Sequence, residues 1–229
     1  MALLQGLSGD LWPIHLKPYE DELLSSWMVR LARAYGVEPV KFWNGVSADF
    51  TDLRWPILDY MAPERLLSFL SQVTATPPRR IVETTLLAIG SVQFIPRINP
   101  LLRYCPVCLS EEPEAYYRRR WQMNAFRICG SHRCLLCCDC PNCRRPQSLS
   151  SISLDAESIS SCSHCGAELS AQPPLLNADV TTIQQWQERL WNCVSEVPRE
   201  LNKASHHQIV LVRNSLRCYL RSRRRRQQL

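Results

Sequence analysis

The residues of this chain with the clearest chemistry are cysteines and histidines that occur in pairs, with two residues between the partners. Four such pairs follow one another: Cys105 and Cys108, Cys129 and His132, Cys140 and Cys143, and Cys162 and Cys165. Thiolate sulfur and imidazole nitrogen are preferred zinc donors, and a structural zinc ion takes four donors in a tetrahedron. A second pair after a hairpin-sized gap completes the site that the first pair begins. The spacing therefore predicts two Zn²⁺ ions, one held by the first two pairs and one by the last two.

The neighbouring cysteines leave this ligand list open. Cys134, Cys137 and Cys138 lie between the second and third pairs, and further two-residue spacings run through them. We prefer the pair that begins at Cys140, because its Cys-Pro-x-Cys sequence repeats the one at Cys105. His164 is a rival to Cys165, but the two-residue spacing favours the cysteine. The three extra cysteines are then expected to be small buried residues or spare thiols.

Composition narrows the class of protein. The chain has 229 residues and twelve cysteines, and its start shows no basic region followed by an apolar stretch, so no secretory signal is expected. A cytoplasmic location with bound metal then explains the cysteines better than disulfides do. No apolar run reaches about eighteen residues, which argues against a membrane-spanning helix. No motif groups carboxylates for metal-ion catalysis and no glycine-rich phosphate loop occurs, so we expect a binding protein and not an enzyme.

The positive charge of the chain is concentrated at its end. The net charge is +6, and residues 201–229 contain one lysine, seven arginines and no acidic residue, which gives +8. The first 200 residues therefore carry −2, which is 6 minus 8. A basic segment beside a near-neutral body favours local contact with nucleic-acid phosphates. The candidate contacts in this segment are Arg217, Arg221, Arg223, Arg224, Arg225 and Arg226.

Two further groups of arginines are candidate nucleic-acid contacts. Arg79 and Arg80 lie near the second helix of a predicted helix-turn-helix, where side chains meet phosphates or base edges. A helical hairpin that contacts protein is the alternative for this pair. Arg118, Arg119 and Arg120 are interleaved with aromatic residues, a pattern that suits phosphate contact or base stacking. A solvated strand edge is the alternative for these three.

Apolar periodicity predicts the helices. Apolar residues recur at three- and four-residue steps from Leu23 to Ala34, which indicates one helix. The stretches from Pro63 to Val73 and from Pro77 to about Ile89 predict two more, joined by a tight turn as in a helix-turn-helix. A last helix is expected from about Ser205 to Arg224. The inner face of the helix before it is predicted to carry Ile183, Trp186, Leu190 and Val194.

These patterns predict an α fold with small zinc-stabilised β modules. Residues 1–100 are expected to form a helical domain with the helix-turn-helix, and residues 101–172 to form tandem zinc-ribbon-like modules. Residues 173–229 are expected to form C-terminal helices that end in the basic tail. Long apolar periodicity stops in the cysteine-rich part, so we expect zinc to stabilise hairpins that are too small to hold a core of their own.

Three stretches resemble motifs of the TniQ family. Pro18 to Arg33 resembles its opening motif, Arg103 to Cys108 its first zinc knuckle, and Trp121 to Cys143 its central signature. The resemblance implies a protein that selects targets for transposons which also encode a DDE transposase and an AAA+ ATPase. Such proteins recognise a target directly, or dock onto a CRISPR effector complex and its guide RNA, and then recruit the ATPase on DNA.

The resemblance is to the short members of the family. The chain ends soon after the second zinc module, which leaves little room for an extended sequence-reading domain. We therefore expect an adaptor that links a target-recognition complex on DNA to an AAA+ transposition ATPase. The alternative is a zinc-dependent helix-turn-helix transcriptional regulator, which would bind duplex DNA sequence-specifically as a dimer and need no ATPase.

Overall fold

The structure is a computed structural model, and it describes residues 11–46, 50, 55, 58–60, 62–86, 101–123, 126–174 and 180–194. The predicted helix from about Ser205 to Arg224 lies outside these ranges. So do the predicted nucleic-acid contacts Arg217, Arg221, Arg223, Arg224, Arg225 and Arg226. None of the helices among the described residues combines the length and apolar character that a membrane crossing requires.

The described chain is mostly helical, as the predicted fold class requires. Its α-helices are α1 Leu24–Ala34, α2 Pro39–Val46, α3 Glu64–Thr74, α4 Pro78–Val82, α5 Pro106–Glu111 and α6 Val180–Val194. Short 3₁₀ turns occur at Arg119–Gln122, Leu149–Ser151 and Leu169–Ala171. Strand pairing within the described ranges is limited to isolated antiparallel bridges. Three of these bridges close turns around predicted metal ligands: Ile128 with Leu135, Asp139 with Pro146, and Ser161 with Glu168.

The residue that precedes helix α1 has a side chain that cannot cap the helix. Its N-cap is Leu23, whose side chain has no acceptor for the unpaired N–H groups of the first turn. Distant parts of the chain supply those acceptors. The Leu24 N–H donates to the Thr84 carbonyl at 2.9 Å, and the Ser25 N–H donates to Asp59 Oδ1 at 2.7 Å. The start of α1 is therefore fixed by tertiary contacts and not by its own sequence.

The α3–α4 pair lies where the helix-turn-helix is predicted, but its second helix is much shorter than predicted. Helix α3 lies within a residue of its predicted bounds, and its C-cap is Ala75, which takes a left-handed φ of 48°. Helix α4 ends at Val82, well before the predicted Ile89. The Thr84 and Thr85 hydroxyls donate to carbonyls of the last helical turn, at 2.6 and 2.8 Å, and so end the helix there.

Two apolar cores meet at α1. One core joins α1, α2 and α3 and includes the fully buried Trp27 and Trp43. The other core fills the cysteine-rich region, and it includes Leu23, the N-cap of α1, and Val29 of α1 itself. Because α1 belongs to both cores, the helical part and the cysteine-rich part pack as neighbours through it.

The predicted inner face of the last described helix, α6, is wrong. Ile183 and Trp186 are 39% and 54% exposed, and Leu190 is only partly buried, whereas Gln187 and Trp191 are buried. The side chain of Val194 is outside the described part. The face is set by hydrogen bonding, because Gln187 Nε2 donates to the Ile128 carbonyl at 2.9 Å. This bond satisfies a backbone group that an apolar side chain would leave unpaired.

Candidate metal centres

The first group of predicted ligands comes together in space. The ligand atoms of Cys105, Cys108, Cys129 and His132, the first cluster, all lie within 4.8 Å of one another. The Cys108 and Cys129 sulfurs are 3.6 Å apart. His132 Nδ1 lies 3.5, 3.2 and 3.6 Å from the sulfurs of Cys105, Cys108 and Cys129. Three sulfurs and one nitrogen thus surround a common point.

The second group also assembles. The sulfurs of Cys140, Cys143, Cys162 and Cys165, the second cluster, lie within 4.8 Å of one another. Cys140 and Cys165 are 3.7 Å apart, as are Cys143 and Cys162. The rival ligand His164 is directed elsewhere, because its Nε2 lies 3.0 Å from the Pro146 carbonyl oxygen.

The spacing in both clusters fits tetrahedral zinc. With Zn–S bonds of about 2.3 Å and Zn–N bonds of about 2.0 Å, the edges of a tetrahedron measure roughly 3.6 to 3.8 Å. A disulfide would hold two sulfurs about 2.05 Å apart. The described cysteines form no disulfide among themselves. Both donor sets therefore suit a structural metal ion, with all four positions taken by protein atoms.

Local backbone geometry positions the first cluster. Cys105 is the N-cap of α5, and its sulfur accepts a bond from the Cys108 N–H, while a proline occupies the first turn. The Cys129 N–H donates to the Cys134 carbonyl at 2.8 Å and so closes the hairpin that carries the second pair. His132 Nε2 lies 2.8 Å from Glu111 Oε2. With Nδ1 directed at the sulfurs, the proton lies on Nε2, and the Nε2–H group donates a hydrogen bond to Glu111 that orients the ring.

The second cluster is positioned by donors to its sulfurs. The Asn142 N–H and the His164 N–H approach the Cys140 and Cys162 sulfurs at 3.4 Å each, and Gln147 Nε2 approaches Cys162 at 3.5 Å. Such bonds stabilise thiolate, the form that binds metal. This cluster is nearer the surface than the first, since Cys165 is exposed.

The extra cysteines stand outside both groups. The Cys134 sulfur lies 3.5 Å from that of Cys105, but Cys134 does not belong to the set of mutually close ligand atoms. The Cys137 thiol is directed at the Leu135 carbonyl, 3.9 Å away. The geometry thus groups the eight predicted ligands and places Cys134 beside the first cluster.

A largely buried ionic network joins α1 to the segment that follows α5. Arg30 lies 2.7 Å from both Glu22 and Glu114. Burial raises the pKa of Glu22 to about 7, although Arg30 and hydrogen bonds oppose the shift. Ser26 Oγ donates to Glu22 and accepts from the Tyr117 N–H at 3.0 Å. The network therefore runs from the middle of α1 into the segment that follows α5.

The three consecutive arginines have partners inside the protein. Arg119 is buried and lies 3.6 Å from Asp21, while Arg120 pairs with the same carboxylate and lies over the Trp191 ring at 4.6 Å. Burial raises the pKa of Asp21 against the opposing effect of these arginines. Arg118 pairs with Glu112. These contacts connect the start of α1, the cysteine-rich region and α6.

The arginines of α4 are on the surface. The side chains of Arg79 and Arg80 are 75% and 48% exposed. Both lie 3.1 Å from Glu83, the first residue after α4. A surface ion pair of this kind contributes little to stability and leaves the guanidinium groups accessible.

Arg33 and Asp59 position other parts of the chain, and the sequence alone does not predict either role. Arg33, at the end of α1, donates to the carbonyls of Ser153 at 2.8 Å and Ala156 at 2.6 Å, and so anchors the serine-rich excursion of the second module. Asp59 accepts bonds from both the N–H and the hydroxyl of Ser25. Neither contact has a local signal, because the partners are far apart in the chain.

Comparison with protein-family models gives a match over more than half of the chain. The family model described as TniQ matches residues 13–136, which is 124 of the 229 residues. The matched part contains α1 to α5 and the whole first cluster, and the second cluster follows it. No curated protein matches the chain. A match over more than half of the chain, with the first cluster inside it, shows that this protein belongs to the TniQ family.

Proposed function

We propose that this protein is a target-selection adaptor of transposition. It links a target-recognition complex on DNA to an AAA+ transposition ATPase. The observation that carries the proposal is the TniQ match, which spans the helical part and the first cluster. A CRISPR effector with its guide RNA is the proposed candidate for the target-recognition complex, because docking onto such an effector is one of the two modes that the resemblance to the TniQ family implies. The adaptor works where transposon DNA is, in the cytoplasm.

The proposed role of the metal is structural. Each cluster offers four protein donors to one Zn²⁺ ion, so no coordination position remains for water or substrate. Zinc would supply the stability that these short hairpins lack, and α1 would transmit that rigidity to the helical part. This arrangement supports a binding scaffold and not an enzyme.

We further propose three parts in the chain and assign DNA contacts to two of them. The parts are residues 1–100 with the helix-turn-helix, residues 101–172 with the tandem zinc modules, and residues 173–229. We assign DNA contact to Arg79 and Arg80, which are exposed, and to the basic tail. Arg118 to Arg120 already have partners within the protein, which supports a role in joining α1 to the cysteine-rich region.

Co-sedimentation tests the proposal. The full chain is mixed with duplex DNA, ATP and the AAA+ ATPase from the same transposon, and the pellet is analysed with and without the ATPase. We expect strong retention only when the ATPase is present. Cys105→Ser should abolish retention because the first module unfolds, whereas the neighbouring Cys134→Ser should be retained. Sequence-specific retention on DNA alone, indifferent to the ATPase, would instead favour the helix-turn-helix regulator.

A further inference from the structure

Several arginines of the described chain have guanidinium groups with no ion pair and no hydrogen bond to any described residue. They are Arg127, Arg133, Arg144, Arg145 and Arg189, all of them exposed. By contrast, the arginines of α1, α4 and the 118–120 segment all bond to carboxylates or carbonyls. Four of the five unpaired groups lie on the two hairpins that carry the second and third ligand pairs.

The charge of these hairpins is unbalanced. Residues 126–148 contain four arginines and one acidic residue, Asp139, which gives a net charge of +3 without histidine. The folded body as a whole is near neutral, so this local excess is not a reflection of overall composition. A concentrated positive surface attracts a polyanion.

The backbone at two of these arginines is of the kind that favours glycine. Arg133 and Arg144 directly follow a ligand pair and have φ values of 53° and 59°. Gly166 occupies the same position after the fourth pair, with φ 74°. All three N–H groups donate to the carbonyl of the first ligand in the pair, at 2.9, 3.0 and 3.0 Å. Glycine adopts this conformation without the steric cost that a side chain brings, so the turn itself does not call for arginine.

We propose that the tips of these two hairpins bind the phosphate backbone of duplex DNA through Arg133, Arg144 and Arg145, with Arg127 at the base of the first hairpin. Guanidinium groups form charge-assisted, paired hydrogen bonds with phosphate oxygens. This assigns a further phosphate-binding surface to the metal modules, in addition to the contacts proposed for α4 and for the basic tail. It rests on the proposed DNA partner but not on the ATPase.

The surroundings of the arginines favour phosphate over a protein partner. Among the described residues of 126–148 there is no exposed large hydrophobic side chain. The exposed neighbours Ser131 and Asn142 are small and polar. Protein interfaces have apolar and aromatic centres, whereas nucleic-acid interfaces are polar and basic.

The hydrogen-bond partners of the cluster sulfurs argue against a role of these arginines in neutralising the thiolates. No described guanidinium group bonds to a cluster sulfur, and the side-chain donors to the second cluster are Asn142 and Gln147. If the arginines served the metal, their removal would lower zinc content. The test therefore measures zinc together with DNA binding.

The test compares the full chain with the double variant Arg133→Gly/Arg144→Gly. Glycine suits the left-handed backbone, so the variant should keep its zinc and melt at the same or a higher temperature. Fluorescence anisotropy with a random-sequence duplex is recorded over a range of KCl concentrations. We expect affinity to fall on the order of tenfold, and the slope of log K against log [KCl] to shrink by about two. Lys41→Ala, which removes an exposed charge on α2, is the matched control and should leave the slope unchanged.

Each other outcome overturns the inference in its own way. An unchanged slope in the double variant would refute it while leaving the proposed function intact. Loss of zinc would show that the arginines serve the metal sites. No DNA binding by the unaltered chain would overturn both this inference and the DNA part of the proposed function.

Discussion

At the scale of a single residue, Asp59 shows that a side chain remote in sequence can cap a helix that lacks a local cap. Helix α1 starts after a leucine that cannot cap it, and the Asp59 carboxylate takes over by accepting the Ser25 N–H and hydroxyl. Asp59 has no ion pair with any described cation, and burial raises its pKa to about 6, against the hydrogen bonds from Ser25. The group is thus a cap whose strength depends on protonation.

This pKa predicts a pH-dependent stability. The folded state holds the proton up to about pH 6, and the unfolded state releases it near pH 3.8. The stabilisation is therefore fully present below pH 3.8 and is lost as pH rises through 6. Relative to Asp59→Asn, which does not titrate, the zinc-saturated protein should lose about 1 kcal/mol of unfolding free energy between pH 5 and pH 7. Urea denaturation at each pH measures the difference, and a difference that stays constant across this window would contradict the assignment.

At the scale of the element, the sequence of α6 predicts that a helix forms but not which of its faces is buried. The existence of this helix is readable from its composition, but its buried face is not. Gln187 faces inward because it meets the Ile128 carbonyl, and Trp191 because it meets Phe126 and two arginines. Apolar periodicity cannot detect a face that is set by a polar contact with another hairpin.

Removal of that polar contact should loosen α6. In Gln187→Ala the Ile128 carbonyl loses a buried donor, which should cost about 1 to 3 kcal/mol. Limited proteolysis should then cleave within α6 faster than in the unaltered chain. Gln185→Ala, at an exposed position of the same helix, is the matched control and should behave like the unaltered protein. Equal cleavage of both variants would show that Gln187 does not hold the helix.

The same contrast holds for the metal ligands and their supports. The eight candidate ligands are predictable because each pair lies within one turn, and the structure brings both groups of four together. Arg33 and Asp59 were not predictable, because their partners are remote in sequence. The early end of α4 depends on the hydroxyls of Thr84 and Thr85. The sequence does not predict this end, because threonines also occur on the surface of continuous helices.

At the scale of the whole molecule, α1 connects the helical part to both metal modules. Its start bonds to the cysteine-rich region through the Leu23 N–H and the Tyr117 carbonyl, at 2.8 Å. Its end reaches the second module through Arg33. Its buried side chains contribute to both apolar cores. The metal sites should therefore stabilise a helix that contains none of their ligands.

This coupling predicts a long-range effect of losing the first site. In Cys105→Ser, backbone amides of α1 should exchange with deuterium faster than in the unaltered protein, because the segment around Tyr117 no longer holds the helix start. Hydrogen exchange read by mass spectrometry measures this directly. Cys134→Ser alters a sulfur next to the site without removing a grouped ligand, so its α1 exchange should be unchanged. Protection of α1 that survives in Cys105→Ser would show that the two parts are independent.

The most direct test of the account is a count of zinc ions by native mass spectrometry. The unaltered chain is predicted to carry two, Cys105→Ser and Cys140→Ser one each, and Cys134→Ser two. This result would establish both clusters as separate four-ligand sites with the ligands assigned from sequence. A chain that carries no zinc, or a Cys105→Ser or Cys140→Ser variant that keeps both ions, would contradict it.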